Sequence, residues 1–244
     1  MGVDGKAFSG MRTLAVISRK GGVGKTTLSV NLAVAAWRAG LKTVLVDLDP
    51  QRSAALWGRM RPHSGPAVVS ASAGKLFPAW SAASNSGCDL MVIDTPAVDG
   101  DETLQAARLA DLSLLVCRPN RFDLDALQHS IDLVRRQAKA SLVVLNQAPS
   151  RRMGQEPQSV FAAADELRAA GVSLASTGLR HRTAFPAAAA RGLGVEELEP
   201  SSAGAREVAG VWAQVWELLQ RNPGAAAMRP MPRPVVTDAA APPA

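Results

Sequence analysis

The sequence is poor in the residues that staple or metallate small proteins. It has 2 cysteines and 3 histidines among 244 residues. Cys88 and Cys117 stand far apart, each beside an apolar run. A disulfide framework or a zinc site needs more thiols at closer spacing. The two therefore read as reduced, mostly buried thiols of a cytoplasmic protein. His63, His129 and His181 are scattered, with no HExxH or paired spacing, which speaks against metal ligation by histidine. Nothing approaches the roughly 18 consecutive apolar residues of a membrane-spanning helix. The first ten residues carry Asp4 and Lys6 and no apolar segment, so they do not read as a secretory signal. Residues 1–10 are expected to form a flexible lead.

Acidic residues are also in deficit. Lys and Arg number 27 against 21 Asp and Glu, a formal charge of +6, and most of the basic residues are arginine. The guanidinium fork suits phosphate, because it donates two hydrogen bonds to one anion. The balance raises the expectation of a polyanionic partner, although +6 also fits plain solubility. The 47% hydrophobic and 20% charged content is ordinary for a globular chain.

Short β-branched runs alternate with longer helical patterns. Strands are expected at 13–18, 43–48, 67–70, 89–94, 112–117, 141–146 and 172–175. Helices are expected at 25–39, 52–59, 75–84, 102–110, 123–138 and 158–170. Several strands are apolar throughout, as befits strands covered on both faces. The alternation predicts a single α/β domain with a doubly wound, mostly parallel sheet, whose strand-to-helix loops lie on one edge. A last helix near 203–220 places Val208, Val211, Trp212, Val215, Leu218 and Leu219 at helical spacing. Its polar face has few basic residues, so a core-facing helix fits better than one lying on a membrane surface. Asn222-Pro223-Gly224 would stop it, and the Pro/Ala-rich composition of 222–244 predicts a disordered tail.

One motif carries chemistry. KGGVGKTT at 20–27 follows the first expected strand and opens the first helix. Gly21, Gly22, Val23 and Gly24 can curl so that successive N–H groups face a phosphate, with the helix N-terminus adding positive charge. Lys25 would reach the β- and γ-phosphates, and the Thr26 hydroxyl would take a Mg²⁺ position. The usual GxxxxGK[ST] pattern wants glycine where this chain has Arg19, and a second lysine, Lys20, begins the loop.

This loop resembles the deviant Walker A of the ParA/MinD group of P-loop ATPases, of the SIMIBI type. The resemblance continues through VLVDLDPQ at 44–51, MVIDTP at 91–96, ADLSLLVCRPNRFDLDAL at 110–127, VVLNQ at 143–147 and RTAFPAAAARGLGVEEL at 182–198, covering roughly residues 11–221. It implies an ATPase that binds ATP and Mg²⁺ and dimerises with ATP between its subunits. Lys20 would be the signature lysine that crosses to the partner's ATP. Lys25, Thr26 and Thr27 would hold phosphates and metal. Asp94 would hold Mg²⁺ through water, Asp47 would support the metal environment, and Asp49 would orient the attacking water. An N-cap role before Pro50 is open for Asp49 as well. Asn146 would contact adenine, or it could simply make a turn at the strand end. The chain departs from the family pattern at Arg52-Ser53, where Gly-Asn is usual, and at Thr95-Pro96-Ala97, where two prolines often follow the aspartate.

No catalytic arginine can be assigned, so hydrolysis is expected to be weak until a partner or DNA stimulates it. Nonspecific DNA is the leading partner. Residues 135–155 hold Arg135, Arg136, Lys139, Arg151 and Arg152 with no acid, and 180–191 hold Arg180, Arg182 and Arg191 with none. Such clusters can make salt-sensitive phosphate contacts. The resemblance adds a ParB-like or cargo-adaptor protein and a cytoplasmic, nucleoid-associated site of action. Two relatives of the same fold remain as alternatives. One is a MinD-like membrane-associated ATPase, which should end in a basic amphipathic helix. The other is an ATP-dependent amide ligase of the cobyrinate or dethiobiotin type, which would need an acid substrate beside the γ-phosphate. An iron-protein reductase would need cysteines near the nucleotide, and Cys88 and Cys117 lie on other elements.

Overall fold

Six strands alternate with helices in the computed structural model, which describes residues 10–98 and 100–221. The first half runs β1 (Arg12–Ile17), α1 (Lys25–Arg38), β2 (Thr43–Asp47), α2 (Ser53–Met60), β3 (Ala67–Ser70), α3 (Ala73–Asn85) and β4 (Leu90–Asp94). The second half runs α4 (Asp101–Leu109), β5 (Leu112–Cys117), α5 (Arg121–Arg136), β6 (Ala140–Leu145) and α6 (Gln158–Ala169). Then come α7 (Ala184–Ala189), α8 (Val195–Leu198) and α9 (Ala203–Arg221). The expected tail, and the expected lead apart from Gly10, lie outside the described residues.

The sheet is parallel throughout, in the order β3-β2-β4-β1-β5-β6. Apart from the mostly exposed edge strand β3, its strands are apolar on both faces because helices cover both. Leu14, Val16, Leu45, Leu90, Val92, Leu112, Leu114 and Val144 meet α1, α9 and Trp57 in one core. The intervening residues Ala15, Ile17, Val44, Val46, Met91, Ile93, Leu115 and Val143 enter a second core under α3 to α6. This is the period-two alternation of a strand read out on two buried faces. Helix α9 closes the first core, with Val208, Val211, Val215 and Leu219 fully buried and Trp212 stacked on Trp216.

Two expectations change. The run at 172–175 is not a strand of the sheet. It makes a single parallel bridge, Val143 to Leu174, and the chain then follows the β6 edge with Leu179 N–H donating to Leu145 O. The intervening Ser176-Thr177-Gly178 breaks the ladder, and a Cβ on Gly178 would lie 2.4 Å from Leu145 O. The short helices α7 and α8 were not foreseen.

Strand β1 lies between β4 and β5, and its following connection leads to β2 on the β4 side. The connection from β4 leads to β5 on the other side. The chain thus diverges at the carboxyl ends of β1 and β4, the place where open parallel sheets form a ligand crevice.

Candidate functional site

The loop from Ser18 to Gly24 leaves β1 and enters α1 at that divergence. Gly22 and Gly24 have φ of 73° and 92°, a region that costs glycine nothing. Gly24 is required for space as well, since a Cβ there would lie 2.4 Å from the Asn146 side-chain nitrogen. Gly24 is the N-cap of α1, no side chain caps the helix, and no acid occupies its first turn. The first-turn N–H groups therefore have no side-chain acceptor, and the helix field favours an anion in front of them.

Lys25 is buried, and its ammonium donates to the Lys20 carbonyl at 3.3 Å. Burial pushes its pKa down, opposed by the charges of Asp94 and Asp49. The Thr26 hydroxyl donates to Asp94 Oδ2 at 2.7 Å, and Ser29 donates to Oδ1 at 2.9 Å. Asp94 itself has no exposed surface, and burial raises its pKa to about 7, against the hydroxyl hydrogen bonds that lower it. A cation between the Thr26 hydroxyl and this carboxylate would relieve the desolvation. The pair of hard oxygens therefore fits Mg²⁺.

Asp47 sits beside Asp94 in register but is occupied differently. Its Oδ1 accepts the Asp49 N–H at 3.0 Å and its Oδ2 the Ala55 N–H at 2.8 Å. The carboxylate is buried and anchors the β2–α2 turn and the start of α2. Burial raises its pKa as well. Both Asp47 oxygens are thus engaged by backbone N–H groups, and the residue stands next to Asp94 while it holds this turn. Asp49 is not the N-cap of α2, which is Arg52; its Oδ1 instead accepts the Gln51 N–H at 2.9 Å. Arg52 takes the left-handed conformation, φ 55°, at the position where the family pattern has glycine. Its guanidinium donates to Asp47 O and Ala71 O at 2.8 and 3.1 Å, so the side chain ties the ends of β2 and β3 together.

Asn146 reaches the loop from the end of β6. Its amide donates to Val23 O at 2.6 Å, and the neighbouring Gln147 donates to Gly22 O at 2.9 Å. The two brace the glycine loop from the β6 side. Thr27 offers its carbonyl to Asn31, whose Oδ1 accepts the Val195 N–H, linking α1 to α8. Lys20 lies 3.7 Å from Asp123 and 6.0 Å above the Phe122 ring. Burial pushes the Asp123 pKa up, but its bond to Arg118 at 2.6 Å prevails and holds the carboxyl low. Gly21, Gly22, Val23, Gly24, Lys25, Thr26, Thr27, Asp94 and Asn146 therefore converge on one crevice. Sequence reasoning missed Ser29, Gln147 and Asp123. Ser29 was findable, because it follows Lys25 by one helical turn on the inward face of α1.

The five arginines expected to face DNA are elsewhere: Arg151, Arg152, Arg180 and Arg182 lie around the β6 edge, and Arg191 lies beside Gly192, which packs on the end of α2. Arg151 Nε pairs with Glu156 at 2.6 Å, and Arg180 also reaches Glu156 at 2.6 Å. Arg182 Nε pairs with Glu207 at 3.0 Å. Arg152 and Arg191 are exposed, and neither has a carboxylate partner among the described residues. The stretches that hold no acid in sequence are thus not acid-free in space. No cluster of three or more potential metal ligands occurs among the described residues, and no helix there is long and apolar enough to cross a membrane.

Known proteins resemble this chain in sequence and in fold. "Maintenance of carboxysome distribution protein A" of Gloeobacter kilaueensis is 32% identical over 221 residues, covering 89% of this chain and 98% of that protein. The structure of a Cyanothece McdA variant in complex with ATP superposes with a TM-score of 0.70 at 16% identity, over 86% of this chain and 96% of that one. MinD of Pyrococcus horikoshii, complexed with Mg-ADP, superposes with a TM-score of 0.69 at 21% identity, over 87% and 98%. The CobQ/CobB/MinD/ParA nucleotide binding domain matches residues 14–195. With the phosphate-sized loop at the head of α1 and the sheet order on which it is mounted, the chain belongs to the CobQ/CobB/MinD/ParA family of nucleotide-binding domains.

Proposed function

We propose that the chain is a Mg-dependent ATPase that positions an intracellular cargo. In this reading it dimerises around ATP, holds DNA nonspecifically, and lets go when a partner protein stimulates hydrolysis. The observation that carries the reading is the contact of half-buried Thr26 with buried Asp94 directly behind the glycine loop. Phosphate and a divalent cation are the ligands that this arrangement of N–H groups, ammonium, hydroxyl and carboxylate suits together.

Thr26 and Asp94 would hold Mg²⁺, and when bound the ion supplies charge neutralisation between the β- and γ-phosphates. Gly21 to Gly24 present backbone N–H groups to the phosphate chain. Lys25, already desolvated, places an ammonium against it. Asp49 stands on the rim of the crevice with one carboxylate oxygen on the Gln51 N–H, and it orients the attacking water. Lys20 serves the ATP of the second subunit. Asn146 fixes the loop and the adenine end. Asp47 acts indirectly, by holding the turn that carries Asp49. The cargo is a protein body or DNA. A bodily cargo is favoured by the near full-length match to a protein named for maintenance of carboxysome distribution.

The test is phosphate release from ATP with and without duplex DNA, in parallel with a panel of small carboxylates. Turnover that is slow alone and raised by DNA, or by DNA with the partner, supports the reading. Turnover that depends on a carboxylate, with formation of an amide, replaces it with the ligase.

A further inference from the structure

A groove of about 740 Å³ runs along the segment 174–180 that follows the β6 edge, between α6 and the start of α9. Arg151, Arg168, Arg180, Arg182 and Arg206 line it, against only two glutamates, Glu156 and Glu207. The glutamates are not at the rim. Their side chains are 20% and 14% exposed, less than those of Arg151 at 63% and Arg182 at 30% and close to that of Arg180 at 13%. Glu156 sits between two guanidinium groups, from Arg151 and Arg180. Glu207 takes the fork of Arg182 and also the backbone N–H of Arg180. Arg180 is further fixed by a bond to Pro149 O at 2.7 Å. Arg151, Arg180 and Arg182 thus face carboxylates supplied from just before α6 and from within α9, while Arg168 pairs with Asp165 on its own helix.

A carboxylate and a phosphate oxygen pair compete for the same two donors of a guanidinium. On this geometry, and resting on the DNA-binding reading above, we propose that Glu156 and Glu207 are internal competitors for the DNA phosphates. They keep Arg151, Arg180 and Arg182 folded and oriented, and DNA binds only by exchanging its phosphates for these carboxylates. The exchange makes the groove weak and salt-sensitive by construction. Each guanidinium gains one ion pair and loses another, while the displaced glutamates stay close and repel the duplex. At low salt the release of counterions from DNA drives the exchange, and at higher salt the internal pairs win. Such a surface lets go of DNA with little input, as a cycling positioning ATPase requires. The unpaired Arg152 and the rim arginines provide first contact.

The sign of the mutational effect tests the proposal. Removing an acid that merely buttresses the surface should weaken binding, whereas removing a competitor should strengthen it. Glu156→Gln and Glu207→Gln keep the size of the side chain and an oxygen that can accept from Arg180. The control is Glu217→Gln, the same charge change on α9 at a residue outside the groove that pairs with Arg221. Binding of a fluorescent duplex is read by anisotropy with a nonhydrolysable ATP analogue across a salt series, and thermal midpoints confirm folding. The double variant should bind roughly tenfold tighter, with a log K against log salt slope steeper by about 1 to 2. Glu217→Gln should leave both unchanged.

Equal or weaker binding by the double variant overturns the competitor role while the DNA reading stands, provided wild type binds and Arg182→Glu does not. Equal tightening by Glu217→Gln assigns the effect to net charge and also overturns it. If neither wild type nor any glutamine variant binds at low salt, the DNA reading fails and takes the competitor role with it.

Discussion

Asp47 and Asp94 stand side by side at the ends of β2 and β4, both without exposed surface, yet they face different partners. Asp47 accepts two backbone N–H groups, and Asp94 accepts two hydroxyls. A hydroxyl can turn away toward another acceptor, whereas a backbone N–H is fixed. Only Asp94 is therefore free to exchange a partner for a cation.

The first prediction concerns pH. Burial holds the Asp94 pKa at about 7, against the ordinary 3.8. Between those values the folded chain keeps a proton that the unfolded chain has released, so stability falls as pH rises through the window. The raised pKa values of Asp47 and Glu196 act in the same direction, and the lowered pKa of Lys25 opposes them only where the pH rises through it. Asp123, Glu156 and Glu197 are shifted down, and they lower stability only when pH drops toward their ordinary values. The thermal midpoint of the nucleotide-free protein should therefore rise on going from about pH 8 to about pH 5.5. Asp94→Asn should flatten that slope and exceed wild type above about pH 7. A wild-type midpoint that climbs with pH in this window would contradict the assignment.

The second prediction separates scaffold from chemistry. Asp47→Ala strands two inward-facing N–H groups and uncaps α2, a loss of about 2–4 kcal/mol in stability. Asp49→Ala gives up one bond in an exposed turn and should cost about 1 kcal/mol or less. It should still bind ATP and lose turnover. Urea unfolding and single-turnover phosphate release distinguish the two, and normal turnover by Asp49→Ala would remove Asp49 from the reaction.

Much of this was legible because the signals are local. The strands up to β6 are dense apolar runs between turn residues, and KGGVGKTT fixes its own place between strand and helix. What was not legible depends on partners distant in sequence. Nothing in the run around Asp47 says that Ala55 will take its Oδ2, and nothing in the acid-free stretch 180–191 announces Glu207. The run at 172–175 has the composition of a strand, but four residues cannot show that Ser176 to Gly178 will cut the ladder short. Arg52 is the opposite case. Its departure from the family glycine was visible, but only the backbone shows that a side chain holds the left-handed turn together by its own hydrogen bonds.

The third prediction follows from the burial of Lys25. A hydrogen bond from a charged donor contributes about 1.5–3 kcal/mol, and in the proposed complex the ammonium, already near Asp94, would donate to the phosphate chain. Lys25→Ala should weaken ATP binding by about 10- to 150-fold, read by titration with a fluorescent ATP analogue. In the free protein the substitution also removes the cation that opposes the raised Asp94 pKa. The pH at which the stability of Lys25→Ala declines should therefore move upward from that of wild type. Unchanged ATP affinity would place the phosphates elsewhere.

The fourth prediction tests how α2, next to the Asp49 turn, is fixed to the C-terminal third. Arg61 donates to both oxygens of Glu197 at 2.9 and 2.7 Å, and to Gly192 O at 3.0 Å. Its guanidinium lies 5.3 Å from the Trp37 ring and 4.8 Å from the Trp57 ring, and both charged side chains are nearly inaccessible. Trp57 adds a bond to Leu193 O. Removing one partner of such a buried pair leaves the other desolvated and alone, which costs about 3–5 kcal/mol. Arg61→Ala and Glu197→Ala should each unfold at markedly lower urea concentration. The double substitution removes the orphaned charge, so its loss should be smaller than the sum of the two, by about 2 kcal/mol or more. Additive losses would mean that the aromatic stacking of Arg61, rather than its pairing with Glu197, holds α2 to the segment that leads into α8.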